Sequence, residues 1–140
     1  MREILFKAKR LDNGEWVCWN IYGELCRLSG KRTRLAIKNG ATTHYYDYIY
    51  QVIERIDKNT ICQYTGLTDK NGNKIWENDV VFVTDDDGNT GQVDTGLGNI
   101  DFLEGLWYIC GRVQCSLYDI NKCFQIEVIG NIFDNTDLLQ

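Results

Sequence analysis

Apolar residues in this chain occur in short runs that suit β-strands better than long helices. In residues 124–128 (FQIEV), apolar and polar side chains alternate strictly, and this period of two places the apolar set on one face of a strand. The compact apolar runs at 80–83 and 106–110 are too short to form stable helices. The pattern therefore predicts a mainly β protein.

Turn signals separate these runs at short intervals. The chain has thirteen glycines and no proline, and Asn-Gly or Asp-Gly pairs stand at 13–14, 39–40, 71–72 and 87–88. Such pairs accept the positive φ that tight hairpin turns require. The first pair lies between the β-type runs 4–9 and 15–19, which predicts an N-terminal hairpin.

The order of the runs also indicates an architecture. Many short strands at even spacing are typical of barrels and sandwiches. A polar turn that ends in aspartate before a valine-rich strand favours a small antiparallel barrel with an SH3-like pattern around residues 61–130. An additional β-hairpin lobe and a short C-terminal helical turn complete the prediction, with Asp134 or Asn135 as the cap of residues 136–139.

The domain organisation predicted is one domain over residues 1–140, with room for two lobes. Residues 28–43 are rich in small, polar and basic side chains, so a soft joint between lobes is placed there. Residues 44–57 (HYYDYIYQVIERID) fit a helical stripe and a strand equally well. Tyrosine and β-branched residues favour the strand, but periodicity leaves the choice open.

Composition and charge narrow the classes of function. Of the 140 residues 44% are hydrophobic and 25% charged, as in ordinary globular domains. The net charge of −5 opposes general binding of nucleic acid, which needs a basic surface. No run approaches the roughly 18 apolar residues that span a membrane, and the N-terminus mixes charges among its apolar residues, unlike a signal peptide. We expect a cytoplasmic protein with no membrane partner.

The cysteines and the histidine give little support to a metal or catalytic site. No C-x-x-C pair is present and His44 is the one histidine, so a structural zinc site is poorly supported. Without an export signal, the cysteines are expected to be reduced and to serve as small buried apolar residues. His44 has no recognisable nucleophile motif beside it, and we predict no enzyme activity, no catalytic residues and no cofactor. The six cysteines are Cys18, Cys26, Cys62, Cys110, Cys115 and Cys123.

One segment combines positive charge with aromatic rings. Residues 27–38 contain five cations and no acid, and four tyrosines follow closely. Cations can track a nucleic-acid backbone while rings stack on bases. The alternative is a solvated basic loop beside tyrosines that fill a core or a subunit interface. The candidate residues for binding nucleic acid or a partner are Arg27, Lys31, Arg32, Arg34, Lys38, Tyr45, Tyr46, Tyr48 and Tyr50.

Three stretches of the chain carry a resemblance to a known family. They are the opening MREILFKA (1–8), the long motif QYTGLTDKNGNKIWENDVV (63–81), and EVIGNIFDN (127–135), which Leu138 and Leu139 follow shortly. In this order the stretches resemble the YopX family of phage and prophage proteins. The chain departs from the family pattern at Asn78, where a glycine usually precedes the aspartate. Asparagine also tolerates positive φ, so the turn can be kept.

The resemblance implies a mostly β fold, a phage or prophage origin and a bacterial cytoplasmic setting. It also implies self-association, whereas the family supplies no assigned activity. We therefore expect a phage accessory protein that is a non-enzymatic interaction module and a homo-oligomer, with another phage or host protein as a further partner. Weak binding of nucleic acid through residues 27–38 is the alternative. Tryptophans are frequent interface anchors, and the candidates are Trp16, Trp19, Trp76 and Trp107.

Overall fold

Strands dominate the part of the chain that the computed structural model describes, which is residues 3–26, 35–39, 42–46, 55–85, 96–111, 115–119 and 124–139. Residues 117–119 form the one α-helical turn within these ranges. The mainly β prediction is confirmed. In chain order the strands are β1 (Leu5–Arg10), β2 (Trp16–Asn20), β3 (Leu25–Cys26), β4 (Leu35–Asn39), β5 (Thr42–Tyr46), β6 (Ile56–Thr68), β7 (Lys74–Trp76), β8 (Asp79–Asp85), β9 (Gly96–Leu103), β10 (Leu106–Gly111), β11 (Cys115–Ser116) and β12 (Phe124–Asn131).

The chain divides into two compact units, Met1–Gln63 and Tyr64–Gln140. The boundary lies within β6, so one strand contributes to both units. The soft joint predicted at residues 28–43 is only partly within the described residues, as β4 and the start of β5. It stays a prediction.

In unit 1, β1 pairs with both β2 and β6 in an antiparallel sheet that contains the strand order β3-β2-β1-β6. The predicted hairpin is confirmed, because β1 pairs with β2 from Leu5 opposite Asn20 to Lys9 opposite Trp16, and Gly14 in its turn has a φ of 71°. The core on one face of this sheet consists of buried apolar side chains. They are Ala8, Val17, Trp19 and Ile56, with Phe6 and Leu25 packed against them.

A second hairpin in unit 1 includes the end of the basic segment 27–38. Strands β4 and β5 form a two-stranded sheet whose register runs from Leu35 opposite Tyr46 to Asn39 opposite Thr42. The strand interpretation of residues 44–57 is confirmed at 44–46 and again at 56–57, where β6 begins. Residues 47–54 lie outside the described ranges.

In unit 2, the last part of β6 pairs with β7, with Tyr64 opposite Trp76. Five strands form a second antiparallel sheet of order β11-β10-β9-β8-β12. Gly98 lies opposite Gly111, and a Cβ atom at Gly98 would lie 2.6 Å from the Cγ2 atom of Ile109. The core of this unit is aliphatic, since its buried members are Ile75, Val81, Val83, Ile100, Ile109, Leu117 and Ile126.

Two finer predictions for unit 2 have different outcomes. No strand pairing within the described residues closes the β11-β10-β9-β8-β12 sheet into a barrel, so the SH3-like barrel remains a prediction. The C-terminal helical turn is instead a pair of hydrogen-bonded turns within 132–139. The first turn, at 132–134, is held by Asn131, whose side chain accepts hydrogen bonds from the amides of Phe133 (2.9 Å) and Asp134 (2.8 Å). In the second turn, at 136–139, the amide of Leu138 donates to the backbone carbonyl of Asn135 at 3.1 Å.

Candidate interaction site

The structure describes three of the nine residues predicted to bind nucleic acid or a partner. Lys38 lies in β4 opposite Thr43, while Tyr45 and Tyr46 lie in β5 opposite Ala36 and Leu35. The chain therefore places the end of the basic segment and the start of the tyrosine cluster on paired strands of one hairpin. The other six residues are outside the described ranges: Arg27, Lys31, Arg32, Arg34, Tyr48 and Tyr50.

The long motif at 63–81 is organised around the buried carboxylate of Asp69, which is 6% exposed. It accepts hydrogen bonds from the backbone amides of Asn71 (2.9 Å) and Asn73 (2.8 Å) within its own turn. It also accepts one from the amide of Val128 in β12 at 3.0 Å. The adjacent Lys70 amide donates to the carbonyl of Ile126 at 2.9 Å. The turn thus satisfies two backbone groups along the edge of β12, where a strand would otherwise expose them.

Two opposing effects act on the pKa of Asp69. Burial favours the neutral acid and raises the pKa, whereas the hydrogen bonds from the amides of Val128, Asn73 and Asn71 stabilise the carboxylate. The hydrogen bonds prevail, and the pKa lies below its usual value. Asp69 is therefore an ionised group whose charge is directed at backbone amides.

The second aspartate of the motif, Asp79, is also directed at the backbone. Asp79 is 3% exposed, and its carboxylate accepts the amide hydrogen of Trp76 at 2.8 Å. Asn78 adopts a φ of 68°, which confirms that asparagine can replace glycine at this turn. The Asn78 amide donates to the carbonyl of Ile100 (2.8 Å), and its carbonyl accepts from the amide of Ile132 (3.0 Å).

The third motif is likewise part of the framework of unit 2. The side-chain oxygen of Asn135 accepts the amide hydrogen of Asn131 at 3.2 Å. A Cβ atom on Gly130 would lie 2.4 Å from that oxygen, so a larger residue there would displace the Asn135 side chain from this hydrogen bond. The polar residues of the second and third motifs contribute to holding turns and strand ends, which is a structural role.

Exposed apolar side chains form a different feature on the sheet of unit 2. Phe82 of β8 lies directly opposite Leu97 of β9, and the two side chains are 39% and 36% exposed. Phe82 stands between the buried residues Val81 and Val83, so alternation directs it away from the core. Ile129, at a bulge in β12, is 39% exposed. We call Phe82, Leu97 and Ile129 the apolar strip.

The sequence pattern did not predict the apolar strip, and it predicted interface roles for more tryptophans than the structure exposes. Trp19 is buried in the core of unit 1 and Trp76 is buried in unit 2, so neither is exposed in the way that an interface anchor must be. Trp16 and Trp107 are partly buried, and Trp107 contacts Phe102 with ring centroids 4.8 Å apart. The continuous apolar run at 80–83 hid the alternation that exposes Phe82.

The five cysteines in the described ranges are all thiols, of which Cys18 and Cys62 are buried and Cys26, Cys110 and Cys115 are partly exposed. Burial, together with the negative charge of Asp101, raises the pKa of the Cys110 thiol. Within the described residues, no cluster of three or more His, Cys, Asp and Glu side chains could hold a metal ion. No helix in those ranges is long and apolar enough to cross a membrane.

Fold and motifs together define a class of mainly β proteins in which buried aspartates fix turns between antiparallel strands. The family model described as YopX protein matches residues 6–140. The chain belongs to the YopX family, as the resemblance predicted. No curated protein matches the chain. Among solved structures, the crystal structure of protein EF1440 from Enterococcus faecalis is similar, with 23% identity, coverage of 98% of both chains and a TM-score of 0.49.

Proposed function

We propose that this protein is a non-enzymatic interaction module that associates with itself through the apolar strip of unit 2. The observation that carries the proposal is the adjacent pair Phe82 and Leu97, exposed on the face of the sheet that does not pack on the aliphatic core. Exposed apolar neighbours of this kind mark interaction surfaces when they form a patch. The buried aspartates of the family motif support the proposal, because each of them accepts hydrogen bonds from backbone amides of the protein itself.

The wider setting of the function is part of the same proposal. Family membership supports a phage or prophage accessory protein that acts in the bacterial cytoplasm, with a phage or host protein as a second partner. The consecutive antiparallel pairing of β8, β9, β10 and β11 supports an SH3-like barrel around residues 61–130.

Sedimentation velocity over a range of micromolar concentrations tests self-association. We expect concentration-dependent association of the wild type and a monomer for the double variant Phe82→Glu/Leu97→Glu, because two carboxylates cannot be buried without partners. The matched control, Leu11→Glu/Ile21→Glu, changes exposed apolar residues of unit 1 that are 65% and 60% exposed, and it should associate like the wild type. A wild type that stays monomeric throughout contradicts the proposal. Association of the strip variant at wild-type strength contradicts it too.

A second candidate function is weak binding of single-stranded nucleic acid. The observation in its favour is that the basic segment leads directly into the β4-β5 hairpin, where Lys38 and the first tyrosines lie on paired strands. Outside residues 27–38 the chain has ten basic and twenty acidic residues, from fifteen minus five basic and all twenty acidic. That acidic remainder opposes close approach of phosphates, so binding should be weak.

Fluorescence anisotropy with a labelled single strand at low salt tests this candidate. With five cations, the slope of the logarithm of the binding constant against the logarithm of the salt concentration should be no steeper than about −3.5. Replacing the five cations by glutamine should abolish binding, whereas replacing Tyr45, Tyr46, Tyr48 and Tyr50 by leucine should weaken it without changing that slope. Absence of binding at low salt, or equal binding by the glutamine variant, excludes the candidate.

A further inference from the structure

Two cysteines of unit 1 lie directly opposite each other on neighbouring strands. Cys18 of β2 pairs with Cys26 of β3 in the antiparallel ladder. Opposed residues in such a ladder have Cα atoms about 4.5–5.5 Å apart, and disulfides span Cα separations of about 4.4–6.8 Å. The backbone therefore holds these two cysteines at a separation that a disulfide can bridge.

A third cysteine in the same row provides an internal control. Lys7 of β1 lies opposite Cys18 on one side and opposite Cys62 of β6 on the other. Across the sheet the row is Cys26, Cys18, Lys7 and Cys62. Since strands are about 4.8 Å apart, Cys62 is two strands from Cys18, beyond the reach of a disulfide.

The surroundings of the thiols set the order in which they react. Cys18 is 1% exposed, whereas Cys26 is partly exposed and its Sγ atom lies 3.6 Å from the carbonyl oxygen of Glu24. An oxidant in solvent therefore reaches Cys26 first. Lys7 lies opposite Cys18 in the ladder, and its Nζ atom lies 4.5 Å from the centroid of the Trp16 ring.

We propose that Cys18 and Cys26 form a redox modification site that reacts with a small disulfide such as oxidised glutathione. The Cys26 thiolate attacks one sulfur of glutathione disulfide, and one glutathione thiolate leaves. The Cys18 thiolate then attacks Sγ of Cys26 and displaces the second glutathione thiolate. Two cysteines are oxidised, one glutathione disulfide is reduced to two glutathione thiols, and these take up the two protons. Cys26 rotates away from Glu24 in the process.

A disulfide between Cys18 and Cys26 would constrain the start of the basic segment. β3 has two residues, Leu25 and Cys26, and the basic segment 27–38 begins at the next residue. A bond from Cys26 to β2 attaches the start of this segment covalently to the sheet of unit 1. Exposed disulfides are the more labile ones, and Cys26 is partly exposed. The inference is independent of the apolar strip, which belongs to unit 2.

Peptide mapping of the folded wild type tests the proposal. After treatment with glutathione disulfide, denaturation and alkylation, we expect the tryptic peptide 11–27, which contains both cysteines, to be two hydrogens lighter and to carry no alkyl group. Further cleavage after Glu24 should leave 16–24 and 25–27 joined. Dithiothreitol should restore two alkylation sites, and Cys62 in peptide 59–70 should be fully alkylated throughout.

Matched variants separate the proposed pair from other chemistry. Cys62→Ser should still form the bond, whereas Cys26→Ser should not, with folding of both verified by circular dichroism. The proposal is overturned if both cysteines of 11–27 remain alkylated after oxidation of the wild type. It is equally overturned if Cys26 stops at the mixed disulfide with glutathione, or if Cys62→Ser abolishes the bond.

Discussion

The same five-residue turn occurs in both units, at 20–24 and at 69–73. In both turns the first residue pairs with the fifth through its backbone amide, at 2.9 Å and 2.8 Å, and the fourth is a glycine that donates to the first carbonyl. Gly23 and Gly72 have φ values of 80° and 83°. The side-chain oxygens of Asn20 and Asp69 accept amide hydrogens two and four residues further on.

The two turns differ in what the first side chain does beyond the turn. Within the described residues, the hydrogen bonds of Asn20 stay in its own turn. Asp69 is buried and also binds the amide of Val128, 59 residues away in the chain. The same local geometry therefore has two uses: the turn at 20–24 only connects two neighbouring strands, whereas the turn at 69–73 also binds a strand that is distant in the chain. The second role is the one that benefits from a charged acceptor, because hydrogen bonds to charged groups are the stronger ones.

The largest expected effect on stability comes from replacing the first side chain of each turn, Asp69 or Asn20, by alanine. Asp69→Ala leaves the partly buried amide of Val128 and two turn amides without their acceptor, which should lower the free energy of unfolding by about 2–4 kcal/mol. Asn20→Ala loses bonds that water can replace and should cost about 0.5–1 kcal/mol. Urea unfolding followed by circular dichroism measures both. Equal losses would remove the distinction between the turns.

Substitution of the two glycines tests the feature that the turns share, which is a residue with positive φ at the fourth position. Gly23→Ala and Gly72→Ala each place a Cβ atom on a residue with positive φ, at a cost of about 1–2 kcal/mol. Because the strain is local, the two losses should agree within about 0.5 kcal/mol in the same urea experiment. A much larger loss for one glycine would mean that the two turns are not equivalent locally.

Acid should affect the Asp69 turn selectively. The pKa of Asp69 is lowered in the folded protein, so its stabilisation is complete above its unfolded value of about 3.9 and is lost as pH falls through the folded pKa. The difference in unfolding free energy between wild type and Asp69→Asn should therefore be largest near neutral pH and shrink below about pH 4. Asp12, whose pKa is lowered by its hydrogen bond to Arg10, is present in both proteins and cancels. A difference that grows in acid would contradict this assignment.

The smallest effect is expected from the ion pair beside the Asp69 turn. The Nζ atom of Lys70 lies 3.5 Å from the carboxylate of Glu127, and both side chains are partly exposed. Lys70→Ala should lower the unfolding free energy by no more than about 0.5 kcal/mol, and salt should reduce the loss further. A loss comparable to that of Asp69→Ala would mean that Lys70, and not Asp69 alone, holds β12 in place.

The sequence predicted the turn at 69–73 but not its counterpart at 20–24. The former contains the recognisable Asn71-Gly72 pair, whereas Gly23 follows Tyr22, which is no turn signal by itself. Local signals also predicted the N-terminal hairpin, the strands at 80–83 and 124–128, and the positive φ of Asn78. These features depend on residues close together in the chain, so a local pattern is enough.

Long-range features were beyond the sequence pattern. The bond from Asp69 to Val128 and the pairing of Phe82 with Leu97 depend on strand register, which short-range periodicity does not fix. The burial of Trp19 and Trp76 depends on which face of each strand meets a core. Composition indicated many aromatic residues but not which of them remain accessible. The apolar strip could not be predicted for the same reason, because the sequence pattern does not give the strand register.

Hydrogen exchange at the Val128 amide tests whether Asp69 holds β12, because this amide donates to the Asp69 carboxylate at the edge of the strand. Exchange measured by NMR at neutral pH should be slow in the wild type and in Asn20→Ala, and much faster in Asp69→Ala under conditions where that variant remains folded. If the Val128 amide is equally protected in Asp69→Ala, the carboxylate does not fasten β12, and the family motif does not have the structural role that its hydrogen bonds indicate.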